Sequence, residues 1–242
     1  MCNQSEQDQL DTFKRSYWSY YMALENRFLE TERFCAFSPC NKNAYSIEYL
    51  SLILSTCGEI DVLGKAIASH FFPDIDLDKA SMPKWGYYVG ESLTNISSEV
   101  VEFKSGYQFR PFDCWHLQKT INKNGKESFS LKPESKRLTW WADYNKIKHQ
   151  RTSLDARRGL ANYAKANQGT LVKAMGALFL LNRLMMRELD RDGYQESEHS
   201  RLFKICDAVD ETLTTIAYDS DGYPCYVISE APSARIQKLS ND

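Results

Sequence analysis

Leu10, Phe13, Tyr17, Tyr20, Tyr21, Leu24 and Phe28 recur at spacings of three and four. That spacing follows the turn of an α-helix, so residues 6–35 are predicted to form one long helix with an aromatic stripe. Lys14, Arg15, Glu25 and Arg27 fall largely outside the stripe. Such a stripe is either a core seam or a platform on which bases stack, and amphipathic helices ordinarily turn it to the core. Ser38-Pro39 and Asn41 to Asn43 break the pattern. A second helix is predicted from about Ser46 to Phe71. Ile47, Leu50, Ile53, Leu54, Cys57, Ile60, Leu63 and Ile67 cover more than one of its faces, which marks it as central. Glu59, in its middle, is drawn toward the interior, where a carboxylate needs a cationic partner or a shifted pKa. Pro73 closes this helix, and residues 73–88, with Pro83 and Gly86, read as irregular.

The period changes at residues 99–131. Val100, Val101, Phe103, Tyr107 and Phe109 suit strands, and Asn124-Gly125 is a hairpin signal because both residues tolerate positive φ. A small β insertion or a set of long loops is expected there. Helical spacing returns over Arg137 to Thr152 and again over Asn167 to Leu189, where Leu171, Ala174, Met175, Leu178, Phe179, Leu181, Leu184 and Met185 form the buried side. Asp190 to Ser200 is polar and reads as a linker. Thr212 to Tyr218 and Cys225 to Ser229 flank Ser220-Asp221-Gly222 and predict a terminal hairpin, with Pro224 where a missing N–H is tolerated. The polar end of the chain is expected to be disordered. The fold class is therefore mainly α: a helical bundle over residues 1–190 with a β insertion at 99–131, then a linker and appendage over 191–242.

Composition narrows the function. At 242 residues and 43% hydrophobic content, one large domain or one domain with an appendage can be built, and the 13% of aromatic residues supplies much of the core. The net charge of −2 excludes a generally basic nucleic-acid coat, so any anion site must be local. The 7 cysteines form no C-x-x-C pair and lack the short Cys/His spacings of a zinc site, which reads as reduced thiols and no metal. Residues 2–12 are polar and acidic, without a secretory h-region. The most apolar run, Ala174 to Met186, is broken by Asn182 and Arg183 and is too short to span a bilayer. A cytoplasmic protein without membrane contact is expected. No P-loop, dinucleotide fingerprint, nucleophile elbow or H-E-x-x-H is present, so no cofactor is predicted.

Candidate chemistry concentrates in Trp140-Trp141-Ala142-Asp143-Tyr144-Asn145-Lys146-Ile147-Lys148-His149-Gln150-Arg151. On a helix, Trp141, Asn145, Lys148 and His149 share one face, and Trp140, Tyr144, Ile147 and Arg151 share its neighbour. Lys132 to Lys165 contains nine basic and three acidic residues, a net +6 in a chain of −2. A basic segment in an acidic chain attracts phosphate. His149 is the acid/base candidate, with Asn145 to hold the ring or contact phosphate and Arg151 to stabilise charge in metal-independent RNA cleavage. Lys146, Lys148, Trp141 and Tyr144 are the substrate-binding candidates, and Glu59 is a supporting one. The competing reading makes Trp140, Trp141, Tyr144 and Ile147 core residues, Asn145 a bridge, and His149 a cation at a helix end, where the dipole favours one.

The stretch W-W-A-D-Y-N-K-I-K-H-Q-R, followed by G-A-L-F-L-L and preceded by Pro111-Phe112 and Trp115, resembles a group of bacterial helical proteins with a W-x-x-Y-N-x-x-K-H-x-R signature. The similarity spans roughly residues 46–186. More loosely, the chain resembles the HEPN superfamily of helical bundles. That resemblance implies frequent dimerisation and RNase activity in toxin–antitoxin, phage-defence or stress systems. Active HEPN proteins carry an Arg, four to six arbitrary residues, then a His. Ala142, Asp143 and Tyr144 occupy the relevant positions ahead of His149, and the correctly spaced Arg110 and His116 have Pro111 between them. Two functions follow as expectations: a HEPN-like RNA-binding protein or metal-independent ribonuclease, and a non-catalytic module that binds a protein partner or itself as a homodimer.

Overall fold

The computed structural model describes residues 4–155, 159–190, 199–206, 215–218 and 224–227. The first predicted helix forms as α1 (Gln4–Phe13), a π-helical stretch (Lys14–Trp18) and α2 (Ser19–Glu30). In the π stretch the Ser19 amide reaches back five residues to the Lys14 carbonyl, which also accepts the Ser19 hydroxyl at 3.0 Å. This wider turn adds one residue and slips the stripe by one position. Trp18 is buried after Phe13, Tyr17 is half-buried and Tyr20 turns to solvent. From Tyr21 the spacing resumes through Leu24 and Phe28, and now carries Glu25 inward.

Helix α3 (Ile47–Phe71) starts where predicted because the Ser46 hydroxyl accepts the Tyr49 N–H at 3.0 Å. It is the central helix and packs on α4 and α6. Helix α4 (Met82–Ser92) occupies part of the stretch expected to be irregular. Pro83 sits in its first turn, where a missing N–H is harmless. Gly86 is a seat: a Cβ there would lie 2.4 Å from the Trp115 ring. Gly64 on α3 is the seat for Trp85, whose ring would be 2.5 Å from a Cβ. Helix breakers in the sequence are thus the places where indoles press against backbone.

The β insertion forms as β1 (Val100–Phe103), β2 (Gln108–Phe109), β3 (Leu117–Ile121) and β4 (Glu127–Leu131). β1 and β2 pair antiparallel with Val101 opposite Phe109, and β3 and β4 with Leu117 opposite Leu131. Gly125 takes φ +74° in the β3–β4 turn, and the Asn122 side-chain oxygen accepts the N–H groups of Asn124 and Lys126.

Helix α5 (Thr139–His149) and helix α6 (Gln168–Leu189) complete the helical part, and the Asn167 side chain caps α6 at the Thr170 N–H. Among the described residues α6 alone has the length and apolar composition to cross a membrane, and 83% of that apolar window is buried inside the protein, as in a core helix. Residues 199–206 depart from the expected boundary at 190. Strand β5 (Phe203–Cys206) joins β1 in the sheet order β2-β1-β5, with Leu202 and Phe203 buried. Two compact units result, residues 1–205 and 206–242. In the second, β6 (Thr215–Tyr218) and β7 (Pro224–Val227) form the predicted antiparallel hairpin, with Pro224 opposite Tyr218. The disordered end expected of the tail, and residues 191–198 of the expected linker, lie outside the described residues. With about 54% helix and antiparallel strand pairs, the architecture is mixed α/β rather than a pure helical bundle.

Candidate functional site

α5 is shorter than the predicted 137–152, ending where Gln150 takes φ −140°, ψ 39°. Its aromatic face is core. Trp140 is buried and donates its indole N–H to the Pro111 carbonyl at 2.9 Å, with the Phe112 ring edge-on at 6.0 Å. Tyr144 and Ile147 are buried beside it. Trp141 is half-buried, 6.3 Å from Trp85 and 5.1 Å from Tyr144 between ring centres. Two tryptophans proposed from sequence as core or as ligand contacts thus meet other rings, Trp140 in the core and Trp141 at its edge.

The polar groups of α5 do not converge. The Asn145 amide donates to the Trp141 carbonyl at 3.0 Å, and the Arg151 Nε donates to the Ile147 carbonyl at 3.4 Å. Both bonds bend back onto the same helix, and the second satisfies a carbonyl of its last turn. The Lys148 ammonium lies 5.5 Å from the centre of the Tyr144 ring. Lys146 and His149 are exposed, and the imidazole has no hydrogen-bond or ion-pair partner among the described residues. A general base needs a group that fixes its tautomer and orientation. Among the described residues none lies against His149.

Glu59 does not support this segment. Burial raises its carboxyl pKa, and its charge adds to the burial that raises the Tyr17 phenol. It therefore lies within electrostatic reach of Tyr17. Asp61 lies two residues on, roughly 200° around the helix. Its carboxylate accepts the Trp85 indole N–H at 2.8 Å and pairs with Lys65 at 2.8 Å. Asp61, not Glu59, points toward the rings that meet α5.

Lys165 is the residue that gives the site its charge, although sequence reasoning counted it only as one more cation. Its ammonium pairs with Asp155 at 2.8 Å and Asp143 at 3.3 Å, with only 12% of the side chain exposed. Burial works against this ammonium, but the two carboxylates outweigh it and its pKa is raised. The 3₁₀ turn Asn162–Lys165 is thereby fastened to α5. Both carboxylates of the neighbourhood are engaged, while Lys146, Lys148 and Arg151 have no ion pair among the described residues. The negative end of the α5 dipole favours cations at this position. Arg157 and Arg158, part of the basic count, lie outside the described residues.

Around this end the chain is laced together. The Tyr163 N–H donates to the Arg151 carbonyl at 3.0 Å, and the Gln168 N–H to the Ala44 carbonyl at 2.9 Å. Tyr45 stands edge-on to Tyr163 at 5.5 Å. Phe34, Tyr45, Ile47, Leu154 and Leu160, all from these loops and helix starts, are exposed large apolar side chains. Pattern reading passed over Phe34, Tyr45, Leu154 and Leu160 because an isolated apolar residue in a loop carries no period, and it counted Ile47 in the apolar pattern of α3, whereas at the first position of that helix its side chain is exposed.

A second polar cluster was also missed. Glu25 is fully buried, and its carboxylate accepts the Tyr21 hydroxyl at 2.5 Å, the Ser200 hydroxyl, and the Arg201 N–H at 2.8 Å. Burial, then the Glu25 charge, raises the Tyr21 phenol far above its ordinary pKa. Ser200 in turn accepts the Leu202 and Phe203 N–H groups, so the node fastens β5 to α2. Buried Arg183 lies over the Trp18 ring at 5.9 Å. The signal was the spacing Tyr21, Leu24, Glu25, Phe28, legible only once the π turn resets the register. Compared with protein-family models, curated proteins and solved structures, the chain matches none.

Proposed function

We propose that this chain is a cytoplasmic RNA-binding protein that holds the phosphate backbone without cutting it, HEPN-like in ancestry and acting in a bacterial defence, toxin or stress response. The observation that carries this reading is the pairing of Lys165 with both Asp143 and Asp155. It leaves Lys146, Lys148 and Arg151 uncompensated on an exposed helix end, the arrangement that exchanges counterions for phosphates. The inward bonds of Asn145 and Arg151, and the unsupported His149 ring, favour binding over general acid–base cleavage. The missing Arg ahead of His149 agrees with that choice. Lys146, Lys148 and Arg151 carry the binding, and the His149 ring is dispensable for it.

The test is a labelled single-stranded RNA incubated with the full chain in the presence of a chelator, scored for retention and for integrity. The expected result is a retained complex with intact RNA, lost on combined Lys146→Glu, Lys148→Glu and Arg151→Glu and unchanged by His149→Ala. Absence of binding contradicts the reading. Cleavage abolished by His149→Ala replaces it with a nuclease. A second reading, a protein-interaction or dimerisation module, is favoured by the exposed apolar side chains at the same end of the helices.

A further inference from the structure

Phe34 and Ile47 are the most exposed of the large apolar side chains, at 87% and 77%, and Tyr45 lies between them in sequence at 51%. Gln168 brings their segments together. Its side-chain amide donates to the Ala36 carbonyl and to the Tyr49 hydroxyl, each at 3.2 Å, joining the chain just after Phe34 to the first turns of α3. The Tyr45 segment is fixed to the same point through the Gln168 N–H bond to Ala44. Two segments that carry exposed apolar side chains, one with Phe34 and one with Tyr45 and Ile47, are therefore tied to the start of α6. Large apolar groups grouped on a surface mark a partner site rather than scatter.

The charge around them selects the partner. Arg33 lies 5.8 Å over the Phe34 ring, and Lys42 is exposed in the loop before Tyr45; neither has a carboxylate partner among the described residues. Neighbouring carboxylates are already engaged: Glu32 with Lys104 at 2.6 Å and Glu48 with Arg27 at 2.7 Å. Glu30 is exposed on α2, two residues from buried Phe28 and so on the outward side. Ile47 has no π face for a base, and the Phe34 ring already carries a guanidinium. Both favour a protein over a nucleic acid. A symmetric contact between two such faces would gather both copies' Arg33 and Lys42 at one interface, which disfavours self-association.

We propose that Phe34, Tyr45 and Ile47, with Arg33 and Lys42, form a docking face for a protein segment that alternates apolar side chains with Asp or Glu. The face uses residues distinct from Lys146, Lys148 and Arg151, so it stands whether or not the chain binds RNA. The experiment pans the full chain against a displayed library of random linear peptides, then measures the best enriched peptide by calorimetry. Enriched peptides are expected to combine apolar and acidic residues, and Ile47→Asp is expected to weaken the synthesised peptide about tenfold or more. Asp at the first position of α3 suits the helix dipole, so the variant is expected to keep its fold, checked by circular dichroism. Arg33→Gln with Lys42→Gln is the second variant, expected to weaken the peptide and reduce its salt dependence while leaving the apolar contacts in place. Failure to enrich, enrichment of basic peptides, or binding indifferent to both variants overturns the proposal. So does a dimer of the wild type that Ile47→Asp dissolves, or RNA binding lost with Ile47→Asp.

Discussion

Two regions gather polar side chains, and they differ in how they do so. Around α5, Asn145, Lys148 and His149 on the helix and Arg151 just past its end are bonded back to that helix, set over its own ring, or turned to solvent. Around Glu25, the groups come from α2 and from a segment 175 residues away, and they meet on one buried carboxylate. Spacing on a single helix puts side chains on one face but does not point them at each other. Convergence requires a second element that supplies partners, and burial that makes an unmet partner costly. The α5 polar surface is therefore suited to meet a ligand from outside, and the Glu25 node to hold the protein to itself.

Substitutions should separate the two. The largest effect is expected at the aromatic face of α5: Trp140→Ala should cost about 3–5 kcal/mol in urea unfolding, because a buried indole and its bond to Pro111 are lost. Lys148→Ala, one turn away from the last buried rings, should stay within about 0.5 kcal/mol. Equal losses would mean that α5 does not divide into a core face and a free face. Next, Glu25→Ala should cost about 3 kcal/mol, since Tyr21, Ser200 and the Arg201 N–H are left without their common acceptor. Asn145→Ala should be near neutral by the same assay, and a cost matching that of Glu25→Ala would erase the contrast.

Smaller effects sharpen the picture. Lys165→Met should release Asp143 and Asp155, set two carboxylates beside the cations, and weaken RNA binding about fivefold in anisotropy titrations. Unchanged affinity would detach Lys165 from the site. Smallest is Glu59→Gln. The native state raises this carboxyl pKa by burial, so it binds the proton more tightly than the unfolded chain does. The stability linked to that proton is present at low pH and is lost as pH rises through the raised value. Glu59→Gln should therefore melt slightly higher than the wild type at pH 7, by well under about 1 kcal/mol for a half-exposed, solvent-screened group. The gain should vanish below the ordinary carboxyl value of 4.5. A gain independent of pH would point to packing.

What the sequence made legible follows from what has a period. The span of α3 from about Ser46, α6 with its Asn167 start, and the Asn124-Gly125 turn are all local patterns, and the structure contains each. α4 was hidden because Pro83 and Gly86 read as breakers; their roles, a first-turn proline and a seat for Trp115, depend on position within a helix and on a distant indole. The π turn at Lys14–Trp18 moved Trp18 in and Tyr20 out, a one-residue slip that a constant period does not contain. β5 joined the first unit because of long-range pairing with β1. In the candidate site, the α5 segment and its exposed cations were readable from charge. Lys165 as their counter-neutraliser, Glu59 turned toward Tyr17, and the Glu25 node were not, since each is set by contacts between elements.

The central claim, an uncompensated cationic end of α5 that takes RNA, is tested most directly by the salt dependence of affinity. Binding of a single-stranded RNA oligonucleotide is measured by anisotropy across a series of salt concentrations, for the wild type and for a variant combining Lys146→Gln, Lys148→Gln and Arg151→Gln. At roughly 0.7 per phosphate contact on a single strand, loss of three cations should lower the slope of log affinity against log salt by about 2. Identical slopes for the two proteins, or no measurable binding by the wild type, would contradict it.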